Sequence, residues 1–142
     1  MTHEITLAVA ETMLQAANRK ATELKIVEDI AVVDATGHLK AFVRMDGAWL
    51  GSIDIAIRKA HTARLFDMET SEIGKMSQPG ESIYGVELSN GGLISFGGGI
   101  PLKDADGKVI GAVGVSGSSV DNDVKVAKAA VETYSDRMFT TA

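Results

Sequence analysis

The sequence predicts an α+β domain in which helices pack on an antiparallel sheet. A helix-periodic segment comes first, and two β-rich runs joined by a short glycine-containing turn follow it. Further helical and β-rich segments then come in groups rather than in strict alternation. Strands that neighbour each other in hairpins are typical of α+β proteins, whereas parallel sheets need a crossover between successive strands. We therefore expect one domain over residues 1–142, in the order helix, hairpin, helices, strands, helix.

Hydrophobic periodicity and turn residues define the elements of the first half of the chain. Small apolar residues at steps of three and four predict an amphipathic helix, and β-branched runs on either side of Gly37 predict a hairpin. Ser52 is expected to cap the next helix. The predicted segments are a helix, the two hairpin strands and two further helices, over residues 4–24, 30–34, 39–45, 53–66 and 70–77.

The second half is predicted to be a glycine-bearing loop, β-rich runs and a last helix. The loop covers residues 81–92 and contains one helical turn, and the helix starts at Gly117 and Ser118. Ser118 and Asp121 have the spacing of a capping box. Extended runs are expected over residues 93–96, 100–102 and 108–116, and the apolar face of the last helix over Val120, Val124, Ala127, Val131 and Tyr134.

Composition excludes several classes of protein. The 142 residues are 45% hydrophobic and 23% charged, which is typical of a globular domain. The absence of cysteine excludes disulfides, thiolate catalysis and cysteine-bound metals. The net charge of −5 and the scattered basic residues argue against a nucleic-acid partner. Without an apolar run of transmembrane length or a signal-peptide pattern, we expect a cytoplasmic protein with no membrane partner.

The glycines are the strongest candidate for a functional feature. The chain has 15, clustered over residues 91–99 and 111–117. The run from Gly97 to Gly99 removes every Cβ, so that backbone could approach a ligand closely. The cluster containing Gly114 and Ser116 enters a helix N-terminus, which favours an anionic group such as a carboxylate. Tight packing between sheet and helix is the alternative interpretation, and no nucleotide-binding motif is present.

Charged residues near the second strand form a second candidate. Arg44 and Asp46 stand at its end, and Lys59 lies in the following helix on a face with apolar neighbours. A partly buried lysine needs a partner or a function, because burial disfavours its charged form. We expect Asp46 as its counter-ion, in an arrangement that binds a carboxylate or serves as an acid–base pair. Alternatively, Lys59 extends its ammonium into water.

The remaining polar residues favour structural roles. The three histidines, His3, His38 and His61, lack the spacing of a zinc site, and His61 is expected to be a solvated helix residue. Glu69 and Glu72, one helical turn apart, suit a helix start better than a cation site. The region of Ser116 does not match the nucleophile motif of hydrolases.

Five ordered blocks of residues resemble the signature of the GlcG/HbpS family. The resemblance covers nearly the whole chain, and the same domain is known at the C-terminus of a corrinoid adenosyltransferase. The blocks contain Val33-Asp34 with Gly37 and Leu39, Ala41-Phe42 with Arg44-Met45-Asp46-Gly47-Ala48, Lys59-Ala60 with Thr62-Ala63, Gly97 to Pro101, and Gly107 with Val109 to Gly117.

The resemblance implies a profilin- or PAS-like layout with a central antiparallel sheet of about five strands. It also implies a homo-oligomer and, for some members, haem as the ligand or a role in haem or iron handling. Others accompany catabolic pathways. Placed on this chain, it predicts a site for haem or another anionic or carboxylate ligand, whose candidate residues are Arg44, Asp46, Lys59, Gly97, Gly98, Gly99, Gly114 and Ser116.

Three hypotheses compete at this point. The first is a small-molecule-binding protein that holds haem or another anionic ligand, accessory to a catabolic pathway or to haem and iron handling. The second is a small catabolic enzyme in which Lys59 and Asp46 form an acid–base pair. The third is an accessory subunit of a larger enzyme. The sequence names neither a haem axial ligand nor a metal-binding residue.

Overall fold

The computed structural model describes residues 4–139, with side chains as far as residue 135. Its four α-helices and four strands follow the predicted order, and a single 3-10 turn, Val86–Leu88, interrupts the long loop as expected. The elements are α1 (Leu7–Glu23), β1 (Asp29–Asp34), β2 (Leu39–Arg44), α2 (Gly51–Phe66), α3 (Thr70–Met76), β3 (Gly99–Lys103), β4 (Val109–Ser116) and α4 (Val120–Phe139).

The sheet is antiparallel throughout, with the strand order β2-β1-β4-β3. This confirms the α+β class. The described residues contain four strands rather than about five. In the segment over residues 93–96, the Leu93 N–H donates to the Glu87 carbonyl and the Ile94 N–H to the Thr62 hydroxyl, at 3.0 and 3.1 Å. These loop and helix partners take the place of a strand ladder there.

Helices cover both faces of the sheet. Alternation along β1 sends Ile30 and Val32 into the core formed with α1 and α4. Ala31 and Val33 face the other way, into a smaller cluster with α2. The α2 side of that cluster is made of alanines, namely Ala56, Ala60 and Ala63. Small residues let this helix lie close against the sheet.

Gly114 shows how close this approach is. A Cβ at this position of β4 would collide with the Ala56 carbonyl oxygen and would lie 2.5 Å from the Ala60 nitrogen. The glycine is therefore required for packing between sheet and helix, which was the alternative interpretation of the second glycine cluster. The predicted ligand-binding role of Gly114 gains no support from its surroundings.

We expect Gly114→Ala to lower the free energy of unfolding by about 3 kcal/mol, since α2 must move away from the sheet. Urea denaturation followed by far-UV circular dichroism measures this. Gly51→Ala is the matched control, because a Cβ there meets nothing within 4 Å and alanine favours a helix. Equal stabilities for the two variants would contradict the packing argument.

Two predicted helix caps are wrong by one or two residues. Helix α2 begins at Gly51, so Ser52 lies inside it, and its hydroxyl accepts a hydrogen bond from Ser116 at 3.0 Å. Helix α4 begins at Val120, and its cap is Ser119, whose hydroxyl accepts from the Asn122 N–H. Val120 is exposed, and buried residues of α4 include Asp123 and Val126, which the predicted apolar face omitted.

Candidate functional site

The predicted site residues gather at one end of the sheet. Asp29, the first residue of β1, is opposite Arg44 at the end of β2 and Ser116 at the end of β4. Strand β3 begins at the same end, with Gly99 opposite Gly114. The structure nevertheless separates the predicted residues by depth. Arg44 and Asp46 are exposed, whereas Lys59, Ser116 and the three consecutive glycines are buried.

Lys59 is completely buried, rather than partly buried as predicted. Its Nζ donates to the Val115 carbonyl at 2.8 Å and forms an ion pair with Asp123 at 3.2 Å. The predicted pairing with Asp46 is therefore wrong, because the counter-ion comes from α4. Burial lowers the pKa of Lys59, and the Asp123 carboxylate opposes this effect. The alternative in which the ammonium reaches water is wrong as well.

The consecutive glycines make room for this lysine. A Cβ at Gly98 would lie 2.7 Å from Lys59 Nζ, and one at Gly99 would lie 2.5 Å from the Lys59 carbonyl oxygen. The Gly99 N–H donates to the Thr70 hydroxyl at 2.9 Å, and the Lys59 ammonium lies 4.9 Å from the centre of the Phe96 ring. Gly98 and Gly99 thus leave the space in which Lys59 of α2 reaches Asp123 of α4, whereas a Cβ at Gly97 would meet Val120 and Val124 of α4.

Glu28 completes the buried charge cluster. It is fully buried, and neither oxygen of its carboxyl group has a hydrogen-bond partner at ordinary distance and angle. Burial, followed by the neighbouring Asp123 carboxylate, raises the pKa of Glu28 to about 9. At neutral pH Glu28 is therefore a carboxylic acid, and Asp123 is the group to which it can donate. We call Glu28, Lys59 and Asp123 the buried triad.

A second polar group lies on the other face of β1. Asp29 is fully buried, and both of its carboxylate oxygens lack a hydrogen-bond partner. Burial raises the pKa of Asp29, and the positive charge of Arg44 on the neighbouring strand opposes this. Ser116 and Ser52, joined by their 3.0 Å hydrogen bond, lie at the same end of the sheet. The exposed Arg44 therefore lowers the pKa of the buried Asp29 carboxyl group.

The open surface at this end of the sheet is a groove formed by two adjoining clefts that share Val27. We call it the Val27 groove. One cleft, of about 420 Å³, contains Lys25, which follows α1, and the exposed Trp49, which precedes α2. The other, of about 360 Å³, contains Arg44 and Asp46. The groove is lined further by Asn18, Ile26, Val43, Met45, Gly47, Gly117, Ser118 and Ser119.

Sequence reasoning missed Glu28, Asp123 and Trp49. Asp123 shares a helical face with Ala127, Ala130 and Tyr134, so its inward position was available from periodicity. Glu28 directly precedes a buried strand, which gives no signal of where its side chain goes. Trp49, the single tryptophan, follows the signature block that contains Arg44 and is 67% exposed.

The histidines and the acidic pair have ordinary partners. His61 is half-buried, and its Nδ1 lies 3.1 Å from the Gly37 carbonyl oxygen. His38 Nδ1 lies 2.8 Å from the Thr36 hydroxyl, and Glu72 pairs with Lys75 at 3.1 Å. His3 lies outside the described residues. Among the residues that the structure describes, no group of three or more histidine and acidic side chains is arranged to hold a metal ion.

Within the same described range, no helix is long and apolar enough to cross a membrane.

Comparison with known proteins agrees with the fold and its signature blocks. The model of the family described as haem degrading protein HbpS-like matches residues 5–132. A 15.0 kDa protein from the dhaT-dhaS intergenic region of Citrobacter freundii is 44% identical over 93% of both chains. The corrinoid adenosyltransferase PduO of Salmonella typhimurium is 37% identical over 84% of this chain and 35% of its own length.

A crystal structure of a PduOC:haem complex superposes with a TM-score of 0.85 at 35% identity, covering 89% of this chain and 91% of that one. These similarities confirm the GlcG/HbpS resemblance and the likeness to the corrinoid adenosyltransferase domain. The chain belongs to the HbpS-like family.

Proposed function

We propose that this protein binds haem in the Val27 groove. Haem binding occurs in the family, as the PduOC:haem complex demonstrates for one relative. The observation on this chain that carries the proposal is the grouping of an exposed indole with two cations in one groove. Trp49 and Lys25 line one cleft and Arg44 the other.

The chemistry of the groove fits the organic part of haem. A porphyrin presents a flat apolar ring and two propionate carboxylates. The indole of Trp49 offers a face on which such a ring can stack, and Val27 adds apolar surface. Lys25 and Arg44 supply one cation for each carboxylate, and charge-assisted hydrogen bonds of this kind are the strong ones. The two clefts, of about 420 and 360 Å³, each have a volume typical of small-molecule sites.

The groove offers little to the iron. Among its lining side chains, Met45 alone carries a sulfur, and none carries an imidazole. The Met45 sulfur already accepts from the Glu28 N–H at 3.3 Å. When bound, haem would supply the redox chemistry of its iron, while this chain's residues bind the carboxylates and cover one face of the ring. Recognition therefore depends on the porphyrin more than on its metal.

Haemin titration of the purified protein tests this proposal. We expect a Soret band distinct from that of free haemin, together with quenching of Trp49 fluorescence. Trp49→Ala should weaken binding by roughly tenfold, since aromatic stacking is worth about 0.5–1.5 kcal/mol beyond the buried area. A Lys25→Ala/Arg44→Ala double variant should weaken it by at least tenfold, since each hydrogen bond to a charged group is worth about 1.5–3 kcal/mol.

The controls are Leu88→Ala and Lys108→Ala, which remove an exposed apolar side chain and an exposed cation outside the groove. These variants should bind haemin like the unmodified chain. If all the variants bind equally, haem lies elsewhere on the protein. If the unmodified chain shows no spectral change, the proposed function is wrong.

Two further parts of the proposal come from the family rather than from the groove. We include a homo-oligomeric state and an accessory role in a catabolic pathway or in haem and iron handling. Sedimentation velocity tests the first. The acid–base enzyme hypothesis is not continued, because Lys59 pairs with Asp123 in the interior and Asp46 is exposed.

A further inference from the structure

The buried triad lies directly beneath the Val27 groove. Gly117 lines the groove with a φ of +146°, a backbone conformation that suits glycine. A Cβ on Gly117 would lie 2.9 Å from Glu28 Oε1 and 2.9 Å from the Val27 carbonyl oxygen. Gly117 therefore lies between the groove and the carboxyl group of Glu28.

The triad also holds the wall of the groove on the side of α4. Asp123 Oδ1 accepts the Ser118 N–H at 3.1 Å, while its Oδ2 pairs with Lys59. Ser118 and the helix cap Ser119 both line the groove. Any change of charge at Glu28 thus acts on Asp123, and Asp123 is bonded to the groove wall.

We propose that Glu28 is a positioning residue for the Val27 groove, which keeps its shape only while Glu28 carries a proton. A shape that depends on this proton makes ligand affinity proton-linked. The link to haem affinity rests on the proposed function, whereas the link between the proton and the shape of the groove does not.

Charge balance supplies the physical reason. The charged groups that act on Glu28 are Asp123 from α4, Lys59 from α2 and Asp29 beside it at the start of β1. While Glu28 is neutral, the ammonium of Lys59 matches the carboxylate of Asp123. Loss of the Glu28 proton places a second anion next to Asp123 in a site without solvent, which is costly. Movement of residues 117–119 would admit water, and these residues form the groove wall.

Trp49 reports on the groove without any ligand, because it is the single tryptophan of the chain and lines the groove. We expect its fluorescence to change in one transition between about pH 8 and 10 in the unmodified protein. The Glu28→Gln variant keeps the neutral form of the side chain, so this transition should be absent. Tyrosines also ionise at alkaline pH. The variants have the same tyrosines as the unmodified protein, so this ionisation affects all of them alike.

Two further variants secure the assignment. Glu132→Gln removes an exposed carboxylate that lies about two and a half turns beyond Asp123 on α4, and it should keep the transition. Asp123→Asn removes the anion that raises the pKa of Glu28, so the transition should move to lower pH. This variant also tests the proposal if Glu28→Gln does not fold. A transition that is unchanged in both Glu28→Gln and Asp123→Asn would overturn the proposal.

Haemin affinity at pH 7 and pH 9.5 provides the second measurement. We expect it to fall by about tenfold in the unmodified protein and by less than twofold in Glu28→Gln. An equal loss in both proteins would overturn the link to affinity. If haemin binds neither protein while the fluorescence transition still depends on Glu28, the proposed function fails and the role of Glu28 in shaping the groove is supported.

Discussion

Replacing Lys59 by methionine is expected to lower the free energy of unfolding by about 3–5 kcal/mol. Methionine has a similar length and no charge, so the substitution leaves Asp123 buried without its cation. Breaking a buried ion pair from one side costs this much because an uncompensated charge stays in the interior. Chemical denaturation at pH 7 measures the loss.

Two comparisons separate charge from packing at this position. A Lys59→Met/Asp123→Asn double variant removes both charges, and we expect it to recover at least half of the lost stability. Lys75→Met breaks the exposed pair with Glu72, whose side chains are 73% and 54% accessible, and should cost less than about 1 kcal/mol. A Lys59→Met protein as stable as Lys75→Met would contradict the buried ion pair.

Glu28→Gln is expected to stabilise the protein at neutral pH. The pKa of Glu28 is raised from 4.5 to about 9 in the folded state. Folding therefore keeps a proton that the unfolded chain releases above pH 4.5, and stability is lost as pH rises from 4.5 to about 9. At about 1.4 kcal/mol per pH unit, the loss at pH 7 is of the order of 3 kcal/mol. Glutamine does not titrate, so the Glu28→Gln variant does not lose this stability.

The measurement is urea denaturation of both proteins at pH 4.5, 7 and 9. The advantage of Glu28→Gln should be smallest at pH 4.5 and should grow through pH 7 to its full size near pH 9. Burial also raises the pKa of Asp29, but both proteins contain Asp29, so its contribution to the pH dependence of stability cancels in the comparison. Stability curves that stay parallel over this range would mean that Glu28 does not retain its proton in the folded state.

Periodicity predicted most of the fold because each element carries its own local pattern. The hairpin around Gly37 and the helices around it followed from steps of two and of three to four residues. The exact helix starts did not follow, since Ser52 and Ser118 have the chemistry of caps. The Ser52 hydroxyl instead binds Ser116, and the Ser118 N–H donates to Asp123. The spacing of residues along the sequence does not show whether a serine bonds to its own helix or to a distant residue.

The sequence predicted which end of the sheet the candidate residues share, but not which of them are buried. Arg44, Lys59 and the glycines lie at one end of the sheet, but Arg44 is exposed, whereas Lys59 and Gly97 to Gly99 are buried and do not line the Val27 groove. The partner of Lys59 could not be predicted, because Asp123 is 64 residues away and on the opposite layer of helices. The glycines could have lined a ligand site or allowed tight packing. In the structure, Gly98 and Gly99 leave space for Lys59, and Gly114 lets α2 lie close to the sheet.

Binding of metal-free protoporphyrin IX tests most directly whether the Val27 groove recognises a porphyrin through its ring and carboxylates. Its dissociation constant, measured beside that of haemin and of protoporphyrin IX dimethyl ester, separates the contributions of iron and carboxylate. We predict that the metal-free porphyrin binds within about threefold of haemin and that the ester binds at least tenfold more weakly, because Lys25 and Arg44 lose their anionic partners. Tight binding of haemin with no binding of metal-free protoporphyrin IX would contradict this account.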